Sequence, residues 1–146
     1  MSSTARPPVA AVRAAHGSRL VVASGQVATR DGELIAEGLV GDTVDLPTAG
    51  ECARQCALNV IEAVRAELGG LDAVTAVLRL TVYVASAPGL REQHLVADAA
   101  TDVMLERFGA RGKHARAAIG VAGLPLGSPV EVDAMFLVSD APGRRA

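Results

Sequence analysis

Residues 45–85 carry a helical hydrophobic period that stops at a glycine pair and turns at once into a strand-like run. Ala49, Cys52, Ala53, Cys56, Val60, Val64 and Leu68 recur at the three- and four-residue spacing of one helix face. Asp45 is placed to cap that helix, and Pro47 is tolerated in its first turn. Gly69-Gly70 ends it. Leu71–Ala85 then reads as a long strand, apolar at Val74, Leu78, Leu80, Val82 and Val84 and interrupted by Arg79 and Tyr83. Pro88-Gly89 introduces a second helix, roughly Leu90 to Phe108, marked by Leu95, Val96, Ala99, Val103 and Leu105 and stopped by Gly109 and Gly112. A final strand, Val130 to Val138, follows the turn Pro125-Leu126-Gly127-Ser128-Pro129.

The first third is predicted to be strand and loop. Residues 9–15 can form a short strand, and Arg19–Ser24 a second one running into Gly25. Asp31-Gly32 is a turn signal before a possible short strand near Glu33–Ala36, and Gly38 to Asp45 is loop. The order ββαβαβ with two helices implies an α+β domain, a single sheet with both helices on one face. The opposite face then needs a cover. A chain that is 50% hydrophobic, yet has one Tyr, two Phe and no Trp, can supply it with Val, Ala and Leu by oligomerising. Its 146 residues fit a single domain, 1–146, with loose ends at about 1–8 and 140–146.

The same composition excludes some roles. With 14 basic against 16 acidic residues, a net charge of −2, and few aromatic rings, there is neither a basic stripe nor a stacking platform, which argues against nucleic-acid binding. Cys52 and Cys56 fall on an apolar helix face and read as buried thiols rather than a disulfide or metal site. His16, His94 and His114 show no ligand spacing. No stretch reaches transmembrane length and the N-terminus lacks a long apolar core, so no membrane partner is expected and a cytoplasmic location is the default.

One residue stands out chemically. Arg116 sits in the small, largely apolar run His114–Pro125, whose composition suggests strand or strand-edge backbone. A guanidinium there needs a partner, and no acid lies within a few positions. The partner is either a distant carboxylate, in an internal ion pair, or a ligand. A planar fork of donors suits a small carboxylate held by two hydrogen bonds.

The segments Leu20-Val21-Val22-Ala23-Ser24-Gly25-Gln26, Asp72-Ala73-Val74 with the strand Leu78–Val84, and Ala115-Arg116 through Glu131-Val132-Asp133-Ala134 together resemble the RidA (YjgF/YER/UK-type) family of reactive-intermediate deaminases. The resemblance spans roughly residues 10–138. Ala85–Gly89 and Gly112–Arg116 look like a longer-chain subgroup. It implies a bacterial chorismate-mutase-like fold and a homotrimer with clefts between subunits. It also implies hydrolysis of 2-imino acids, or their enamines, to 2-keto acids and ammonia. Carried over by position, Arg116 would clamp the substrate carboxylate, and Glu131 would hold or polarise the attacking water. Gly25 and the backbone near Ala118 would line the pocket, and His114 would stand near its mouth or simply on a surface loop. No cofactor, metal or covalent nucleophile is required for such a reaction.

The sequence departs from the family pattern in three places. An aromatic is missing from Val9–Ala15, where Arg13 can reach toward the cleft instead. Ala118 replaces a thiol, and Asp98 stands where Asn is common. These departures bear on the substrate: Ala11, Ala14, Ala15 and Ala118 leave room for a larger imine. A non-catalytic trimer that binds a small carboxylate would use the same Arg116. Alternation along the last strand can equally turn Glu131 to solvent. Arg79 and Tyr83 fit an interface better than a reaction, and the endoribonuclease activity often attached to the family fits the charge poorly.

Overall fold

The computed structural model describes residues 10–13, by their backbone, and 18–140. The ends expected to be loose, 1–8 and 140–146, lie outside this range except for Asp140, as do Val9, Ala14, Ala15 and His16 and the side chains of Ala11 and Arg13.

Two strands open the fold, β1 (Ala10–Arg13) and β2 (Ser18–Val27). A small hairpin follows, β3 (Thr29–Arg30) and β4 (Glu33–Leu34), turning at Asp31-Gly32. Helix α1 (Leu46–Leu68) starts at the expected cap: the Asp45 carboxylate accepts from the Thr48 N–H at 2.8 Å. It ends at Gly69 in the left-handed conformation, φ 73°, which a residue with a Cβ adopts at a cost. All seven apolar residues that defined its period are buried.

Strand β5 (Val74–Ala85) and helix α2 (Gln93–Phe108) come next. The α2 stripe differs from the expected one. Val96, Ala97, Ala100, Val103, Met104 and Phe108 are buried, while Leu95 and Leu105 lie at the surface. Apolar residues occur around most of this helix, so its period alone does not set the buried direction. A 3-10 turn (Gly109–Gly112) reverses the chain into β6 (Ala115–Val121), and β7 (Val130–Ser139) completes the fold.

The five long strands form one mixed sheet in the order β1-β2-β7-β5-β6. Neighbours are antiparallel except β5 and β6, which run parallel. The strand character suspected around Arg116 is therefore a full edge strand. Both helices pack on one face, α1 over β2 and β7 and α2 over β5 and β6. They approach closely because Gly50 of α1 faces Ala99 of α2; a Cβ at Gly50 would meet the Ala99 Cβ at 3.8 Å. A two-pronged ion pair, Arg54 to Glu106 at 3.2 and 2.8 Å, ties the helices at the surface.

Strict alternation on β7 divides the sheet. Val130, Val132, Ala134, Phe136 and Val138 face the helices and are buried; Glu131, Asp133, Met135, Leu137 and Ser139 face the other way. On that open face Leu20 pairs with Leu137, Val22 with Met135, and Tyr83 with both Glu131 and Ile119. Strand β5 is irregular between Val77 and Arg79, which leaves Leu78 out of the buried row and Arg79 and Tyr83 on the open face. Among the described residues no helix is long and apolar enough to cross a membrane.

Phe136 is the largest fully buried side chain and meets the Phe108 ring at a centroid distance of 6.1 Å. The core around it is mostly Val and Ala, which cannot reach in to refill a lost ring. Phe136→Ala should cost about 3–5 kcal/mol, read as a lower urea midpoint for a two-state transition.

Candidate functional site

The turn after α2 sets the position of Arg116. Gly112 packs against the end of the helix so tightly that a Cβ would overlap the Met104 carbonyl oxygen and lie 2.8 Å from its carbon. The Gly112 carbonyl can only accept, so it takes the hydrogen on His114 Nδ1, at 2.6 Å. His114 Nε2 is then left to accept from the Thr101 hydroxyl at 3.0 Å. The same hydroxyl oxygen accepts from Arg116 Nη1 at 3.0 Å. His114 thus orients Thr101, and Thr101 helps to orient Arg116.

Arg116 pairs in register with Leu80, a buried residue on the helix side, so its side chain lies beneath α2. Nη1 also donates to Asp98 Oδ1 at 2.9 Å, and Nη2 reaches the His94 carbonyl at 3.5 Å. The distant carboxylate left open by the sequence is Asp98. Its side chain is 58% exposed and that of Arg116 24%, so this is a surface ion pair, worth about 0–1 kcal/mol. Arg116, Thr101, Leu105, Lys113 and His114 line a shallow cleft of about 240 Å³. Ala118 stands on the same face two residues along, packed on the core beside Val82.

Glu131 belongs to a second cluster. Gly25 lies where β2 and β7 slip register, and its missing side chain makes room for the Glu131 carboxyl: a Cβ there would overlap Oε2 and lie 2.9 Å from Cδ. The start of β7 is anchored from below. Ser128 Oγ accepts from the Ala28 N–H at 3.1 Å and donates to the Val130 carbonyl at 2.8 Å, and the Cys56 thiol donates to that same carbonyl at 3.3 Å. On the open face the Tyr83 hydroxyl donates to Asp133 at 2.8 Å. Burial pushes the Glu131 carboxyl above its ordinary range, and the charge of Asp133 adds to this. Burial and the bond to Asp133 likewise raise the Tyr83 phenol.

The five site residues read from the sequence therefore fall into two groups. Arg116, His114 and Ala118 lie at the helix-side edge of the sheet, and Gly25 and Glu131 lie together at the β2–β7 slip. Arg116 and Glu131 project from opposite faces, because their register partners Leu80 and Tyr83 are three residues apart on β5. One chain does not bring them together. Sequence reasoning missed the roles of Thr101, Tyr83 and Asp133. The two-residue spacing of Glu131 and Asp133 was a legible sign for one of them; the others depend on register and on the turn after α2.

Burial pushes the Cys52 thiol up to about 11 and drives the Cys56 thiol higher than its ordinary value, so both remain protonated core residues. Among the described residues, no group of three or more His, Cys, Asp or Glu is placed to hold a metal ion.

Comparison with known proteins finds relatives of the chain as a whole. TCP17 of Trypanosoma cruzi is 43% identical over 113 residues, which covers 77% of this chain and 71% of that protein. The crystal structure of Atu1372 from Agrobacterium tumefaciens superposes with a TM-score of 0.82 at 36% identity, covering 93% of this chain and 83% of that one. The YjgF gene product of E. coli shares the fold, with a TM-score of 0.58 at 21% identity over 91% and 89% of the two chains. The sequence model of the family described as endoribonuclease L-PSP matches residues 4–138. With its two-helix mixed sheet, the chain belongs to that family, the YjgF/RidA family.

Proposed function

We propose that this protein hydrolyses small 2-imino acids, or their enamine tautomers, to 2-keto acids and ammonia, with Arg116 binding the substrate carboxylate and Glu131 positioning water. The observation that carries the reading is the state of Arg116. Its guanidinium is held at the wall of an open cleft by a weak, exposed ion pair rather than a buried one. An incoming carboxylate can replace Asp98 at little cost, and a two-pronged contact with a planar fork is the stronger arrangement.

Glu131 supplies the complementary chemistry. A carboxylate whose pKa is raised by burial is a stronger base, and it can accept a proton from water and return it to a leaving amine. The imine carbon is already electrophilic once its nitrogen is protonated, so the site need only orient water near it and move a proton. The two half-sites face opposite ways within one chain, so the reaction calls for a second copy. An edge strand such as β6, with the half-covered apolar face around Leu20, Val22, Met135, Leu137 and Ile119, fits assembly into a homotrimer. Gly25 lets Glu131 stand over the slip, while Ala118, two residues along from Arg116, adds only a methyl group to that face. The small Ala118 side chain is compatible with a second form of the same reading, a hydrolase for a larger imine. A trimer that only binds a small carboxylate would need Arg116 but not Glu131. RNA cleavage draws little support from a chain of net charge −2.

Imino acids generated by an amino-acid oxidase, with keto-acid release followed against semicarbazide trapping, test the reading. Wild type should accelerate release. Arg116→Ala should lower kcat/KM by about 100-fold or more, the loss expected for a charge-assisted anchor. Glu131→Gln should lower kcat by about 100-fold with KM nearly unchanged. A folded wild type that accelerates no imino acid would refute the hydrolase, and binding that needs Arg116 but is indifferent to Glu131 would leave the binding trimer.

Glu131 also predicts a pH-dependent stability. A folded-state pKa above the unfolded one makes ionised Glu131 a burden on the fold. That burden is absent below the unfolded pKa and grows as pH rises through the folded one. Glu131→Gln should therefore raise the melting temperature near pH 7, with the gain vanishing near pH 4. An equal or lower melting temperature for the variant at neutral pH would contradict the assignment.

A further inference from the structure

We infer that Asp98 is a specificity-determining residue, which makes the Arg116 site select a zwitterionic imino acid over the singly charged keto acid formed from it. The inference rests on the proposed hydrolase reading and concerns how that site tells substrate from product.

Asp98 Oδ1 lies 2.9 Å from Arg116 Nη1, and the Thr101 hydroxyl 3.0 Å from the same nitrogen. The site therefore presents a positive and a negative group side by side, open to solvent on the Asp98 side. A protonated 2-imino acid carries the complementary pattern, since its carboxylate and its cationic nitrogen sit on adjacent carbons. When the carboxylate takes the guanidinium, the displaced Asp98 can turn to the nitrogen instead of facing a bare anion. Lys113, on the same cleft wall, attracts either carboxylate and repels the cationic nitrogen, so it favours the keto acid and the opposite preference has to come from Asp98.

The reaction reverses this complementarity. Water oxygen bonds to the imine carbon, one of its protons passes to nitrogen, and the carbon–nitrogen bond breaks as the carbonyl forms and the second proton joins the departing ammonia. A zwitterion of zero net charge and one water thus become a keto-acid monoanion and an ammonium ion. The monoanion still meets Arg116, but it brings no positive charge of its own to set against Asp98. Asp98 therefore favours the release of product.

Asp98→Asn separates charge from position, because the amide oxygen can still accept from Arg116 while the negative charge is gone. The exposure of Asp98 makes the variant compatible with the fold. The experiment measures 2-oxobutanoate binding by calorimetry, and its inhibition constant against 2-iminobutanoate hydrolysis, in wild type, Asp98→Asn and Arg116→Ala. In Asp98→Asn the keto acid should bind about two- to fivefold more tightly, with no matching gain in KM, so the ratio of inhibition constant to KM falls. An unchanged ratio, with Arg116→Ala still impaired in binding, overturns the role of Asp98 alone. Keto-acid binding as strong in Arg116→Ala as in wild type overturns the carboxylate site itself, and this inference with it.

Discussion

The alternation of β7 is the constraint on which the rest of the structure depends. This central strand is buried on one side by Val and Phe against two helices and carries acids and half-covered apolar residues on the other. A slip of one residue would bury Glu131 and Asp133 in the core and expose Phe136, so register here is strongly specified. Ser128, fully buried beneath the start of the strand, bonds to Ala28 and Val130 and holds the strand where Glu131 meets Gly25. The core packing and one half of the site are thus set by the same pattern.

The other half is set by an edge. Among the described residues strand β6 lies beside β5 alone, and it is entered through a tight glycine turn, so Arg116 emerges beneath α2 rather than into the packed interior. A buried ion pair would hold the arginine permanently, because separating it leaves an uncompensated charge. At the rim, water screens the contact with Asp98, and Arg116 is oriented without being consumed. Thr101 and His114 add directional bonds from the helix and the turn, which narrows the orientations open to the guanidinium.

Small side chains connect the two halves. Ala and Val dominate the core, and Gly50 against Ala99 lets the helices approach each other. That choice limits what sequence reasoning can recover. Helix α1 was legible because apolar and polar residues separate cleanly around it, from Ala49 to Leu68. Helix α2 was legible as a helix but its buried face was not, since Ala97, Ala100 and Met104 are buried while Leu95 and Leu105 are not, and packing against α1 and β5 decides among near-equivalent faces. The strand through Leu78 formed as expected, but an irregularity in pairing breaks the simple alternation and leaves Leu78 exposed.

Local chemistry by itself determined the elements: the capped helix, the glycine stops, the long strands, the buried cysteines and the isolated arginine. These depend on residues a few positions apart, whose spacing is visible in the chain. Only the tertiary structure decided that β6 lies beside β5, that Arg116 meets Asp98, Thr101 and His94, and that Glu131 leans over Gly25 toward the face away from the helices. Each of those relations joins residues from separate elements through strand register or helix packing, and side-chain spacing along the chain carries no record of either.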